Sequence, residues 1–252
     1  MARIHIGTSG WHYPHWRGPF YPEVMRADRL LPFYARHFHT VEVNNSFYKL
    51  PSDETFATWR DTSPEGFLFA VKASRFITHM KKLKVEPGQG LFPLLERVDV
   101  LGPKLGPILF QLPPMWRFNA ERLQTFLESL PTGHRYTFEF RDHSWLNEEA
   151  YALLRAHGAA YCIYDIAGFL SPSVVTADFV YIRLHGPIPG AAYQGSYSME
   201  ALSGWADACV RWAAEGRDVY VYFDNDIGGH AVHDALRLQG MVEARSRTLV
   251  LE

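Results

Sequence analysis

The stretch Tyr136-Thr137-Phe138-Glu139-Phe140-Arg141-Asp142-His143-Ser144-Trp145 decides how the chain folds. Its first six residues alternate strictly, with Thr137, Glu139 and Arg141 on one side and Tyr136, Phe138 and Phe140 on the other. Successive side chains of a strand point to opposite faces, so this is strand periodicity. Further segments repeat it at 4–7, 40–44, 68–72, 108–112, 160–165, 179–185 and 219–223, each running into a polar residue at its C-terminal end. Helical patterns lie between them. Asp28 is an expected N-cap for a helix reaching Phe38, Ser52 or Asp53 for one through Arg60, and Asn119 for one from Ala120 to about Leu130. Pro87-Gly88 leads into another over about 91–101, and Gly158 and Gly216 end two more.

Eight strands alternating with helices in 252 residues is the pattern of an α/β TIM (β/α)8 barrel, read as a single domain over residues 1–252. Residues 167–178 lack helical periodicity, so the sixth unit is expected to be degenerate. An open doubly wound sheet is the alternative. It does not require every strand to carry two different faces ending in a polar residue.

Composition narrows the function classes. A formal net charge of −2 gives no global reason to bind nucleic acid or an anionic membrane. No apolar run approaches the roughly 20 residues of a membrane span. The first strand begins almost at Met1, which leaves no room for a signal peptide, and Cys162 and Cys209 lack metal-ligand spacing. A cytoplasmic protein with two reduced core thiols is the expectation.

Strand phase then predicts a polar ring. The residues expected to meet at the C-terminal mouth of the barrel are Glu42 and Asn44, Lys72, Gln111, Glu139 and Arg141, Asp165, Arg183 and His185, and Asn225. Beneath them, Thr40, Ala70, Leu109, Thr137, Ile163, Tyr181 and Phe223 are expected to fill the core. TIM-barrel active sites lie at that mouth. A mutually satisfied ion-pair plug is the bland alternative, since charges buried together must pair.

The residues Ile6-Gly7-Thr8-Ser9-Gly10-Trp11, Val41-Glu42-Val43-Asn44 with Phe47-Tyr48-Lys49-Leu50-Pro51, and Val71-Lys72-Ala73 follow one another in a familiar order. They continue with Gln111-Leu112-Pro113-Pro114, Phe138-Glu139-Phe140-Arg141, Ser144-Trp145 and Arg183-Leu184-His185-Gly186. In this the chain resembles the YecE-like family, a TIM-barrel domain of unknown function. The resemblance implies the barrel and no established activity, so function must come from the site. Asp224, where the family tends to asparagine, is a departure.

Three chemistries fit the expected ring. In the first, an enzyme acts on a small polyhydroxylated or phosphorylated substrate by carboxylate acid/base chemistry. Glu42 and Glu139, with Asp165 and His185, are its catalytic candidates. Asn44, Lys72, Gln111, Arg141, Arg183 and Asn225 would bind the substrate, and Trp11 and Trp145 would stack on it. No cofactor is expected. In the second, Glu139, Asp165 and His185, completed by Asp224 or Asp226, hold a divalent metal, similar to the xylose-isomerase-like barrels with their isomerases and endonucleases. Arg141 and Arg183 beside those carboxylates argue against it. In the third, Lys72, Arg141 and Arg183 with the turn Gly228-Gly229 hold a phosphate. Arg75, Lys81, Lys82 and Lys84 extend the positive region and make a nucleic-acid-binding protein the remaining alternative. His79 and His143 read as loop histidines, and Ser9 and Ser46 sit in no nucleophile elbow.

Overall fold

β-Branched and aromatic runs become strands because their side chains pack well on a pleated surface. In a computed structural model they are β1 (Ile4–Thr8), β2 (Thr40–Val43), β3 (Leu68–Lys72), β4 (Leu105–Gln111), β5 (Tyr136–Glu139), β6 (Ala160–Ile166), β7 (Phe169–Leu170), β8 (Phe179–Leu184) and β9 (Asp218–Phe223). The structure describes residues 2–251 except Val85, Pro87 and Gly88. The expected Pro87-Gly88 turn therefore lies outside the described residues. The strand order is β1-β9-β8-β6-β5-β4-β3-β2, parallel in each registered pair among these, with β7 antiparallel to β6. The fold is an α/β barrel of the TIM type.

The α-helices are α1 (Leu30–Tyr34), α2 (Asp53–Thr62), α3 (Leu91–Val98), α4 (Ala120–Glu128), α5 (Glu148–Ala156), α6 (Met199–Ala214) and α7 (His230–Leu251). Side-chain caps start four of them: Ser52, Asn119, Asn147 and Ser198 each accept from a backbone N–H three residues on. Asp28 does not cap. It lies inside a 3-10 turn, Ala27–Arg29, and the helix beyond stops at Tyr34. The sixth unit is degenerate as expected: the β6–β7 hairpin, through Asp165↔Leu170 and Ile166↔Phe169, stands where a helix would be. No helix among the described residues is long and apolar enough to cross a membrane.

The chain divides into two compact units. Unit one comprises Met1–Val41, Ile163–Ser171 and Asp178–Glu252, and unit two comprises Glu42–Cys162 and Pro172–Ala177. In unit one, β1 pairs with β9 and β9 with β8, and α6 and α7 pack together. Gly7 in β1 has no room for a side chain. A Cβ there would lie 2.3 Å from the Thr40 carbonyl oxygen, so any substitution must push the backbone away. In unit two, β3, β4 and β5 pair in parallel, and β5 continues onto the start of β6. Both cysteines are buried and unbridged, and burial pushes the Cys209 thiol up to about 12, which keeps it unreactive.

Candidate functional site

Each unit carries its own group of polar side chains at its strand ends. In unit two, β4 and β5 are registered so that Gln111 lies beside Glu139 and Leu109 beside Thr137. Lys72 pairs with Leu109, one layer below the Gln111–Glu139 row. Its long stem carries the ammonium to 4.4 Å from the centre of the Phe47 ring, a cation–π contact. Ser46 donates to the Lys72 carbonyl oxygen at 2.6 Å and fixes the loop after β2 against β3.

Glu139 is fully buried and accepts a hydrogen bond from the Arg141 guanidinium, which is nearly buried itself. Glu42, in β2, is also fully buried. Desolvating such carboxylates is costly unless donors meet them.

His79 also belongs to this group. It lies on a π-helical turn, Phe76–Met80, rather than in an open loop. Such turns are uncommon and gather at functional sites. Its ring stands edge-on to Phe47 at 5.0 Å, and its Nδ1 pairs with the Thr78 hydroxyl at 2.9 Å. Burial first, and then the charges of Lys72, Arg75 and Arg141, hold its pKa below the ordinary histidine value.

Trp145 takes no ligand-facing role. It is fully buried, its indole N–H donates to the Trp116 carbonyl, and Trp116, Phe118 and Phe140 surround it. The cause is local, because Asp142 caps the turn His143–Trp145 and drives the indole inward. The basic run is partly neutralised from within, since Lys81 and Lys84 both pair with Glu86, at 3.1 Å and 3.4 Å.

In unit one the centre is Arg183. Its guanidinium donates to Asp224 Oδ2 at 3.0 Å and to the Ser9 hydroxyl at 3.2 Å. It also faces His185 Nε2 at 3.4 Å. His185 Nδ1 lies 2.9 Å from the same Asp224 oxygen. An imidazole with its N–H on Nδ1 and its lone pair on Nε2 satisfies both neighbours. Asp165 accepts from Tyr197, and burial raises its carboxyl above the ordinary value.

Asn225 departs from the expected ring. Register pairs Arg183 with Tyr222 and Tyr181 with Tyr220, so Tyr222 and then Asp224 share the Arg183 face. The Asn225 amide instead donates to the Gly195 carbonyl and to Asp234 on α7, both at 2.8 Å. A shift of one residue moves a whole strand's side chains to the other face. The run Val219–Phe223 is apolar throughout and left that phase undetermined.

The metal reading fares poorly. Among the described residues no three His, Cys, Asp or Glu side chains are grouped to hold an ion, so Glu139, Asp165 and His185 form no ligand set. In unit one a guanidinium lies against the nitrogen and carboxylate that a cation would need. The Gly228-Gly229 segment is a turn with both residues at positive φ, and the Gly229 N–H is taken by the Asp226 carbonyl at 2.9 Å.

Asp226, a candidate metal ligand by sequence, has surroundings that give it another property. His15 Nε2 lies 2.8 Å from its carbonyl oxygen and 3.4 Å from its carboxylate. Burial, and then the neighbouring Asp224 charge, push its pKa up to about 6. The folded state therefore binds this proton more tightly than the unfolded chain. Stability from this group is present at low pH and is lost as pH rises towards 6. Asp226→Asn is expected to raise Tm above pH 7, with the gain shrinking as pH falls from 6 towards 4. Thermal melts of both proteins across that range check it, and a gain independent of pH contradicts it.

Fold and strand-end chemistry together define a TIM-type barrel with buried charged side chains at the ends of its strands. The chain belongs to the DUF72 family, described as a protein of unknown function, whose pattern matches residues 5–252. It is similar to the UPF0759 protein YunF of Bacillus subtilis (strain 168), 25% identical over 95% of each chain. It is 33% identical to the UPF0759 protein YecE of Escherichia coli (strain K12) over 55% of this chain and 48% of that protein. Among solved structures, a DUF72 family protein (TM1631) of Thermotoga maritima MSB8 superposes with a TM-score of 0.86 at 30% identity, covering 96% of this chain and 99% of that one.

Proposed function

We propose that the protein is an enzyme acting on a small polyhydroxylated or phosphorylated substrate by carboxylate acid/base chemistry, at the C-terminal ends of β2–β5. One observation carries this reading: a fully buried carboxylate, Glu139, is held by Arg141 within a unit that also buries Glu42 and Lys72. Glu139 is the acid/base group and Glu42 its partner carboxylate, separated from it in the sheet by β3 and β4. Gln111 beside Glu139, with Asn44 after β2, orients hydroxyls, and Lys72 and Arg141 hold negative charge on the substrate or developing in the transition state. In a carboxylate mechanism one group gives a proton to the leaving or carbonyl oxygen while the other takes one from water or carbon.

The test is product formation, followed by NMR, on a panel of sugar phosphates, their parent sugars and simple glycosides. Turnover of at least one panel member, dependent on Glu139, is the expected result. A panel left unchanged at high enzyme concentration overturns the reading.

A further inference from the structure

Residues 186–197 connect β8 to α6 within unit one, and Tyr193 among them packs against His185. Its ring stands edge-on to the imidazole at 5.6 Å, and its backbone N–H donates to the His185 carbonyl oxygen at 2.5 Å. His185 is fully buried while Tyr193 is 39% exposed, so this ring separates part of the imidazole from solvent. Tyr193 does this at φ +67, in the left-handed region that disfavours a side chain. Such conformations persist only where their surroundings hold them, and they gather at ligand clamps and switch segments.

The base of the loop is firmly tied. The Gly186 N–H donates to the Tyr197 hydroxyl at 3.0 Å, the Tyr197 N–H donates to Asp234 at 2.9 Å, and the Asn225 amide donates to the Gly195 carbonyl at 2.8 Å. The two ends touch, since a Cβ on Gly186 would lie 2.4 Å from the Gln194 carbonyl oxygen. A compact loop with closed ends is of the Ω type, which is frequently functional. Its tip, Ile188, Pro189 and Gly190, is exposed and rests on the β6–β7 turn. There the Gly190 N–H donates to the Ala167 carbonyl at 3.0 Å, and Pro189 lies against Gly168. Gly186 and Gly195, both at positive φ, flank the loop where a hinge would absorb changes in backbone angle.

We infer that residues 187–194 are a flap hinged at Gly186 and Gly195, and that its opening uncovers His185, making the Arg183–His185–Asp224 group a gated site and not a sealed plug. The inference concerns unit one and does not rest on the acid/base reading of unit two. Opening turns the Tyr193 and Gly190 N–H groups to water and lets Tyr193 leave its left-handed backbone. The contacts among His185, Asp224, Arg183 and Ser9 stay, because none of these residues lies in the flap. What meets solvent is then a formed histidine–carboxylate pair, an arrangement suited to exchanging a proton with a small polar ligand.

The probe is diethyl pyrocarbonate, which acylates unprotonated imidazole, and peptide mass spectrometry of the full chain reads each histidine. His12, which is exposed, is the reference. His185 is expected to be labelled about 10- to 1,000-fold more slowly than His12, as for an open form populated at about 0.1–10%. Gly168→Cys/Pro189→Cys tests closure, since a Cβ on Gly168 would lie 3.3 Å from the Pro189 Cβ. That is near the separation of about 3.5–4.5 Å that a disulfide spans. Oxidised, this variant holds the tip down and His185 labelling stops. Reduced, it regains labelling, so one preparation serves as its own folding control. Tyr193→Gly removes the ring while suiting the backbone, and is expected to label His185 faster than the wild type. His185 left unlabelled in the wild type while His12 is fully acylated overturns the inference. Equal rates in the oxidised and reduced forms, or in Tyr193→Gly and the wild type, do the same.

Discussion

Replacing Glu139 by Gln is expected to lower kcat by about 10²- to 10⁴-fold, the range contributed by a positioned acid/base group. The amide has the shape of the carboxyl and still offers an oxygen to the Arg141 guanidinium, which the wild-type carboxylate engages. Glu139 also holds the sheet through its backbone, where its carbonyl accepts from the Leu112 N–H at 2.8 Å, a bond the substitution keeps. Losing the charge weakens the bond to Arg141 by roughly 1–2 kcal/mol, since charge-assisted bonds exceed neutral ones by about that much. The fold should therefore survive with a Tm a few degrees lower while the chemistry fails. Steady-state kinetics beside thermal melts on one preparation separate the two effects. Full activity in Glu139→Gln would remove the residue from the mechanism.

Asp224→Ala is expected to cost about 3–5 kcal/mol of folding stability, the range for breaking a buried ion pair by removing one of its members. Arg183 is 0% exposed, and Asp224 is the carboxylate that its guanidinium and the His185 imidazole share. Removing that oxygen takes a charged acceptor from a guanidinium that also donates to the Ser9 hydroxyl and faces an imidazole nitrogen. For a chain of this size the loss corresponds to a fall in Tm of about 6–20 °C. Asp224→Asn keeps an acceptor and should fall between the wild type and Ala. The double variant Arg183→Met/Asp224→Leu, which removes both charges, should be more stable than Asp224→Ala. Denaturant unfolding of these variants checks the order, and independent, additive losses would show that the pair is not coupled.

Much of this architecture was legible where polar and apolar residues alternate. Tyr136–Arg141 announces a strand with Glu139 on one face, and the register of Gln111 with Glu139 bears out the phase of both. The degenerate sixth unit was visible because residues 167–178 offer no helical stripe, and a hairpin fills the place. Strand β9 was harder. Val-Tyr-Val-Tyr-Phe is apolar at every position, so only its pairing with β8 reveals that Asp224 and not Asn225 meets Arg183. Lys72 was placed level with Glu139 because sequence phase fixes the face of a residue but not its height along a neighbouring strand.

His79 was missed for a different reason. Its place beside Phe47 depends on a π-helical turn, and no periodicity in Phe76–Met80 marks such a turn. Trp145 illustrates the converse. An aromatic in a loop beside a strand end has the look of a stacking platform, and the cap at Asp142 turns it into core.

The dependence of kcat/KM on pH, for the panel's best substrate, tests the central claim most directly. Acid/base catalysis by a carboxylate pair predicts a bell-shaped profile in the wild type, with one limb lost in Glu139→Gln and the other in Glu42→Gln. Profiles of unchanged shape in both variants would contradict it and would leave these buried carboxylates as parts of the fold alone.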